Sequence, residues 1–185
     1  MKFLWTFLVV IFAGWGCQTI VDNQQSAGSG KATKEIIGIY DSRAIAVGFI
    51  GSEIYSRTAG AEMKEKMAAY AAAKETGDQL LMAELEAWGQ AQQAVRHRQG
   101  FSTAPIDDIL QYIKPDIDRI ISEKGLSGMT SKWDKSLKAQ YLNAHLVDIT
   151  IELLDALSPN DKQRMSALEI MKSHPVPLEN LQDID

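Results

Sequence analysis

Between Ile106 and Ile121 the aliphatic residues Ile106, Ile109, Leu110, Ile113, Ile117, Ile120 and Ile121 recur at three- and four-residue steps. That spacing lines them up on one stripe of a helix, and a stripe this apolar must be buried against another element. Pro115 falls inside the run and removes one backbone hydrogen bond, which predicts a kink or a fresh helix start there. Lys124-Gly125 then reads as a helix stop with Gly just past the last turn, and Met129 to Asp134 suits a short strand. A long helix feeding a strand points to an α+β fold, mostly helical, packed on a small sheet.

Upstream, Ile36, Ile37, Ile39 and Tyr40 make a strand candidate, with Asp41 and Ser42 available to cap the helix that follows. Arg43 stands in that strand-to-helix turn, where capping and a local ion pair account for it. Glu53 to Lys74 is rich in helix formers, with Met63, Met67 and Tyr70 at steps of four and three. Glu75-Thr76-Gly77-Asp78 breaks the pattern. A second helix from Gln79 to Arg98 carries Leu81, Leu85, Trp88 and Val95 on a narrow seam. Two narrow seams joined by a tight polar turn predict an antiparallel helical hairpin over residues 53–98, each arm roughly 30 Å long. The methionines suit a forgiving binding face, and simple packing of the seam explains them equally well. Arg96-His97-Arg98 complements the dipole at the end of the second arm.

Downstream, Lys135 to Asn143 reads as a loop or short helix, and Ala144 to Ile149 alternates like a short strand. Thr150 is placed to cap a helix carrying Ile151, Leu153, Leu154 and Leu157. Ser158 and Pro159 predict a further helix start, running through Met165, Leu168 and Met171. The final LENLQDID reads as an exposed tail.

The first sixteen residues, MKFLWTFLVVIFAGWG, join one positive charge at Lys2 to a short apolar run and then small residues. This is the pattern of a secretory signal peptide, and the run is too short to span a bilayer. Cys17, the one cysteine, stands where a bacterial lipoprotein is cleaved and lipidated; ordinary cleavage without a lipid is the alternative. The segment 17–34 is polar with a Ser-Gly cluster and reads as a flexible tether, on average roughly 20 to 25 Å from end to end. Export, and a periplasmic location with a possible anchor to the outer membrane through Cys17, follow as expectations.

Of 185 residues, 45% are apolar and 23% charged, enough for one domain with a real core. A net charge of −5 and the absence of a basic stripe argue against nucleic acid as a partner. His97, His145 and His174 lie in different segments, with no cysteine or Gly-rich loop near them. No His or Cys pair has metal-ligand spacing, and Asp107-Asp108 is explained by a helix N-terminus. Catalysis, metal and cofactor are therefore not expected.

The order of elements resembles the Skp/OmpH family of periplasmic chaperones. The likeness is carried by IIGIYDSRAI (Ile36 to Ile45), ILQYIKPDIDRIISEKGL (Ile109 to Leu126) and VDITIELLDAL (Val147 to Leu157), which frame residues 35–157. The resemblance implies helical hairpin arms projecting from a small sheet body. It also implies a homotrimer whose short strands form a shared body, and unfolded outer-membrane or envelope proteins as clients. The arms here are shorter, the chain is acidic, and residues 158–185 extend past the usual end. Met63, Met67, Tyr70, Leu81, Leu85 and Trp88 would supply client or partner contact. The competing reading is a membrane-tethered adaptor lipoprotein whose hairpin docks one specific partner.

Overall fold

The computed structural model describes residues 34–183. The expected signal peptide, Cys17 and all of the expected tether but its last residue lie outside the described residues. Chain order runs β1 (Ile36–Tyr40), α1 (Ser42–Ile50), α2 (Glu53–Arg57), α3 (Ala59–Thr76), α4 (Gln79–Phe101) and α5 (Asp107–Leu110). It continues through a 3₁₀ turn (Gln111–Ile113), α6 (Lys114–Lys124), β2 (Gly128–Ser131), α7 (Leu137–Gln140), β3 (His145–Asp148), α8 (Thr150–Ala156) and α9 (Asp161–Ile170) to a 3₁₀ segment at Leu178–Asp183. The fold is mostly helical with one small sheet. That sheet has three parallel strands in the order β2-β1-β3, so the first strand is the central one. Parallel pairing follows from the connections, because each partner strand is reached through intervening helices rather than a tight hairpin.

The isoleucine stripe is buried as its spacing requires. Ile106, Ile109, Ile113 and Ile120 are at most 3% exposed, and Leu110 and Ile121 pack against the cluster they form. At about 1.5 to 3 kcal/mol for each fully buried side chain, this stripe is a principal source of stability. The helix does restart at Pro115, which stands in the first turn of α6 just after the 3₁₀ turn. Gly125, with φ 61°, closes α6 in the left-handed conformation.

Helix α1 is the hub of the packing. Seven of its nine residues are buried, and it touches α4, α8 and α9. Gly48 allows the close approach of α8: a Cβ there would lie 2.2 Å from Leu154 Cδ1. Helix α9, with Ala167 buried, belongs to this same core.

The start of α1 is held by charge. Asp41 is fully buried; its carboxylate caps α1 through the Arg43 backbone N–H at 3.1 Å and accepts from Arg43 Nε and Nη2 at 3.1 and 2.9 Å. Trp133 Nε1 donates to it at 3.0 Å and Lys132 Nζ lies 2.9 Å away. Arg43, also fully buried, reaches the Ser173 carbonyl at 2.9 Å and lies 4.8 Å from the Trp133 ring centre. The backbone N–H of Asp41 donates to Thr150 Oγ1 at 2.9 Å. Four separated stretches of chain are thus pinned to one carboxylate and its neighbours.

Several expected boundaries shift. The helix expected from Glu53 breaks at Thr58, whose φ −117° and ψ −105° are not helical. Thr150 does not cap α8; its hydroxyl is taken by Asp41, and Asp148 Oδ1 accepts the Thr150 N–H instead. Asn160, not Ser158, caps α9, because the side chain of Asn160 accepts from Gln163 N while Ser158 sits at φ 48°. The C-terminal segment is not wholly an exposed tail: Val176 N–H donates to the Phe101 carbonyl at 2.9 Å, and Leu181 is buried.

Burial alone would raise the Asp41 carboxyl, but the hydrogen bonds from Arg43, Trp133 and Lys132 and the Arg43 charge outweigh it and lower it to about 2. Its stabilising contribution is therefore complete above pH ~4 and is lost as pH falls toward about 2. Asp41→Asn leaves the buried guanidinium unpaired and is expected to cost about 3 to 5 kcal/mol in denaturant unfolding. The variant's stability should also vary less over that acid range.

Candidate functional site

Helices α3 and α4 form the expected hairpin. Gly77 at φ 74° ends α3, and Asp78 starts α4 by accepting the Leu81 N–H at 3.1 Å. From Ala61 to Arg98 the one fully buried residue is Ala73. A two-helix hairpin cannot enclose its own seam, so its apolar side chains remain half-covered along its length.

At the base, the hairpin is tied down by polar contacts. Arg96 Nη1 donates to Asp108 Oδ2 at 2.8 Å and to Gln99 Oε1 at 2.6 Å. Gln99 in turn donates to Asp108 Oδ1 and the Pro105 carbonyl. Arg96 of the basic cluster is thereby spent on structure, its guanidinium also lying 5.5 Å from the Phe49 ring centre.

Above the base the hairpin carries a groove of about 270 Å³. Met63, Met67 and Tyr70 of α3 line it from one side, Leu85, Trp88 and Gly89 of α4 from the other. Lys66 and Glu86 stand at its rim. Tyr70 Oη donates to Glu86 Oε1 at 2.6 Å, and that bond, ahead of burial, raises the phenol. Lys66 Nζ lies 5.9 Å from the Trp88 ring centre. A second hollow of about 320 Å³, between Tyr55 and Arg96, shares Met63, Trp88 and Gly89, so the two meet in one trough. Met67, at 65% exposure, is the most open apolar side chain of the lining.

The structure thus brings five of the sequence-selected residues, Met63, Met67, Tyr70, Leu85 and Trp88, to one groove. Leu81, a turn nearer the hairpin tip, is half-buried and outside the lining. Cys17 lies outside the described residues. Gly89 was not legible as a site residue, yet it carried a signal: a glycine amid a 23-residue helix costs roughly 1 kcal/mol against alanine. Among the described residues nothing requires it, because a Cβ at Gly89 would meet no atom within 4 Å.

Among the described residues no group of three or more His, Cys, Asp or Glu is placed to hold a metal ion, and no helix is long and apolar enough to cross a membrane. Comparison with protein-family models, with curated proteins and with solved structures yields no match.

Gly89→Ala is expected to raise thermal stability, by about 0.5 to 1 kcal/mol, since helix propensity improves and nothing is displaced. A loss of stability in a calorimetric scan would mean that the glycine serves the fold itself.

Proposed function

We propose that the protein is a non-enzymatic chaperone of the cell envelope, a holdase that keeps unfolded outer-membrane or envelope proteins from aggregating. The observation that carries this reading is the uncovered apolar trough of the hairpin. It is lined by two methionines, Tyr70, Trp88 and Leu85, and is widened by a glycine that the chain's own packing does not need. Thioethers on unbranched stems adapt to many side chains, and aromatic rings supply large contact area at small entropic cost. Such a surface holds extended apolar segments without selecting one sequence.

The resemblance to the Skp/OmpH family supplies the rest of the proposal, namely export, a homotrimer with a shared sheet body, and a lipid tether through Cys17. The outer edges of β2 and β3 pair with no further strand among the described residues, which is compatible with strands shared between copies. In this assembly three hairpins would stand around a shallow space with their troughs accessible to client.

The test is suppression of aggregation, followed by light scattering, as several unrelated unfolded barrel proteins are diluted from denaturant. The wild-type chain is expected to protect all of them. Met67→Asp should weaken protection about tenfold, because a carboxylate is placed against the client's apolar surface, with little change in folding stability at this exposed site. Protection of a single protein would instead identify an adaptor. Solution mass by light scattering during gel filtration is expected to be three times that of the chain; a monomer at every concentration would contradict the shared body.

A further inference from the structure

At the carboxyl ends of β1 and β2, lined by none of the trough residues, lies a cavity of about 260 Å³. One wall is the end of the sheet, with Tyr40, Thr130, Trp133 and Asp134; the facing wall is the loop 103–106 and Asp107. β1 is central and its two partners lie on opposite sides, so this crevice sits where ligands enter parallel sheets. That position alone assigns nothing; the side chains do.

The charged groups in the lining are both acidic, Asp107 and Asp134, and among the described residues neither pairs with a Lys or Arg. Between them stand hydroxyls and an indole ring. Burial, then the charges of Asp107 and Asp134, push the Tyr40 phenol up to about 12, so it adds no charge of its own to the cavity. Ser42, also in the lining, is 2% exposed, and its buried Oγ has no hydrogen-bond partner among the described residues. A buried hydroxyl left so is destabilising, and an occupant with a donor relieves it. Two carboxylates and the unpartnered Ser42 hydroxyl form a donor-seeking surround that recognises an organic cation through ion pairing and hydrogen bonding. The Trp133 ring already faces Arg43 at 4.8 Å and Lys132 at 4.9 Å, so it bounds the site without supplying cation–π attraction. Hard divalent ions fit less well, since they require more oxygen ligands than this pair of carboxylates supplies.

We infer that this cavity binds a small organic cation, an alkylammonium or guanidinium group, held between Asp107 and Asp134 with Ser42 accepting one of its hydrogen bonds. The proposal is independent of the holdase reading, because no residue of this cavity lines the trough.

Calorimetric titration of the full chain with cadaverine, agmatine and a blocked lysine amide tests it, with neutral pentanediol as control. At least one cation is expected to bind, the diol not, and added salt should weaken binding. Tighter binding of cadaverine or agmatine would assign the cavity to a free amine; tighter binding of blocked lysine, to a protein side chain. Asp107→Asn should weaken affinity about tenfold. Ser42→Ala should weaken it several-fold while leaving the melting temperature unchanged or higher, since the hydroxyl has no internal bond to lose. Absence of binding by all three cations at millimolar concentration, equal binding of the diol, or unchanged affinity in a folded Asp107→Asn protein would overturn the inference. Destabilisation by Ser42→Ala would overturn the role given to that hydroxyl.

Discussion

A carboxylate with no exposure to water must be neutralised where it stands, and Asp41 is neutralised by groups drawn from across the chain. Arg43 comes from the same turn and Lys132 and Trp133 from the stretch after β2, while Thr150, at the start of α8, accepts the backbone N–H of Asp41. Through Arg43 the C-terminal Ser173 is added. Each of these stretches is fixed at the carboxyl end of the sheet because the alternative is an unpaired buried charge. A core of isoleucine and leucine tolerates sliding; a buried ion pair with directed hydrogen bonds does not. The pair's role is therefore to set register among elements that apolar packing would hold less specifically.

From that fixed point the placement of the hairpin follows. Helix α1 runs from the Asp41 cap into the middle of the core, and α4 packs on it near Gly100 and Val47. Arg96, Gln99 and Asp108 then clasp the hairpin to the start of α5. Beyond the clasp and α2, the two arms pack chiefly on each other among the described residues. Their Met, Tyr and Trp side chains are consequently half-covered, the condition in which an apolar surface gains most from a partner.

Elements governed by local pattern were legible in the sequence. Ile36 to Tyr40 reads as a strand from composition, the isoleucine stripe as a helix from spacing, and the Gly77-Asp78 turn and Gly125 stop from residues that favour those conformations. Features decided by distant contacts were not. Nothing near Thr150 announces that its hydroxyl is claimed by a backbone N–H 109 residues away. The break at Thr58 has a local cause instead: Gly60 lets α3 fold back on Tyr55, five residues earlier, where a Cβ would come within 2.8 Å of its carbonyl oxygen. The burial of Leu181 and the strand order have no local signature either. Of the trough, the Met and aromatic lining was readable from helical spacing, whereas Leu81 shared that spacing and lies outside it. The cavity beside Tyr40 was not readable at all, since it joins strand ends to a loop some sixty residues away.

The central claim is that the uncovered face of the hairpin receives unfolded polypeptide. Site-specific photo-crosslinking addresses it most directly, with a photoreactive side chain at Met67 in the trough and, for comparison, at the exposed Glu169 on α9. Mixed with several unrelated unfolded envelope proteins, the Met67 position is predicted to capture each of them and the Glu169 position none. Equal capture from both positions, or none from Met67, would contradict the account.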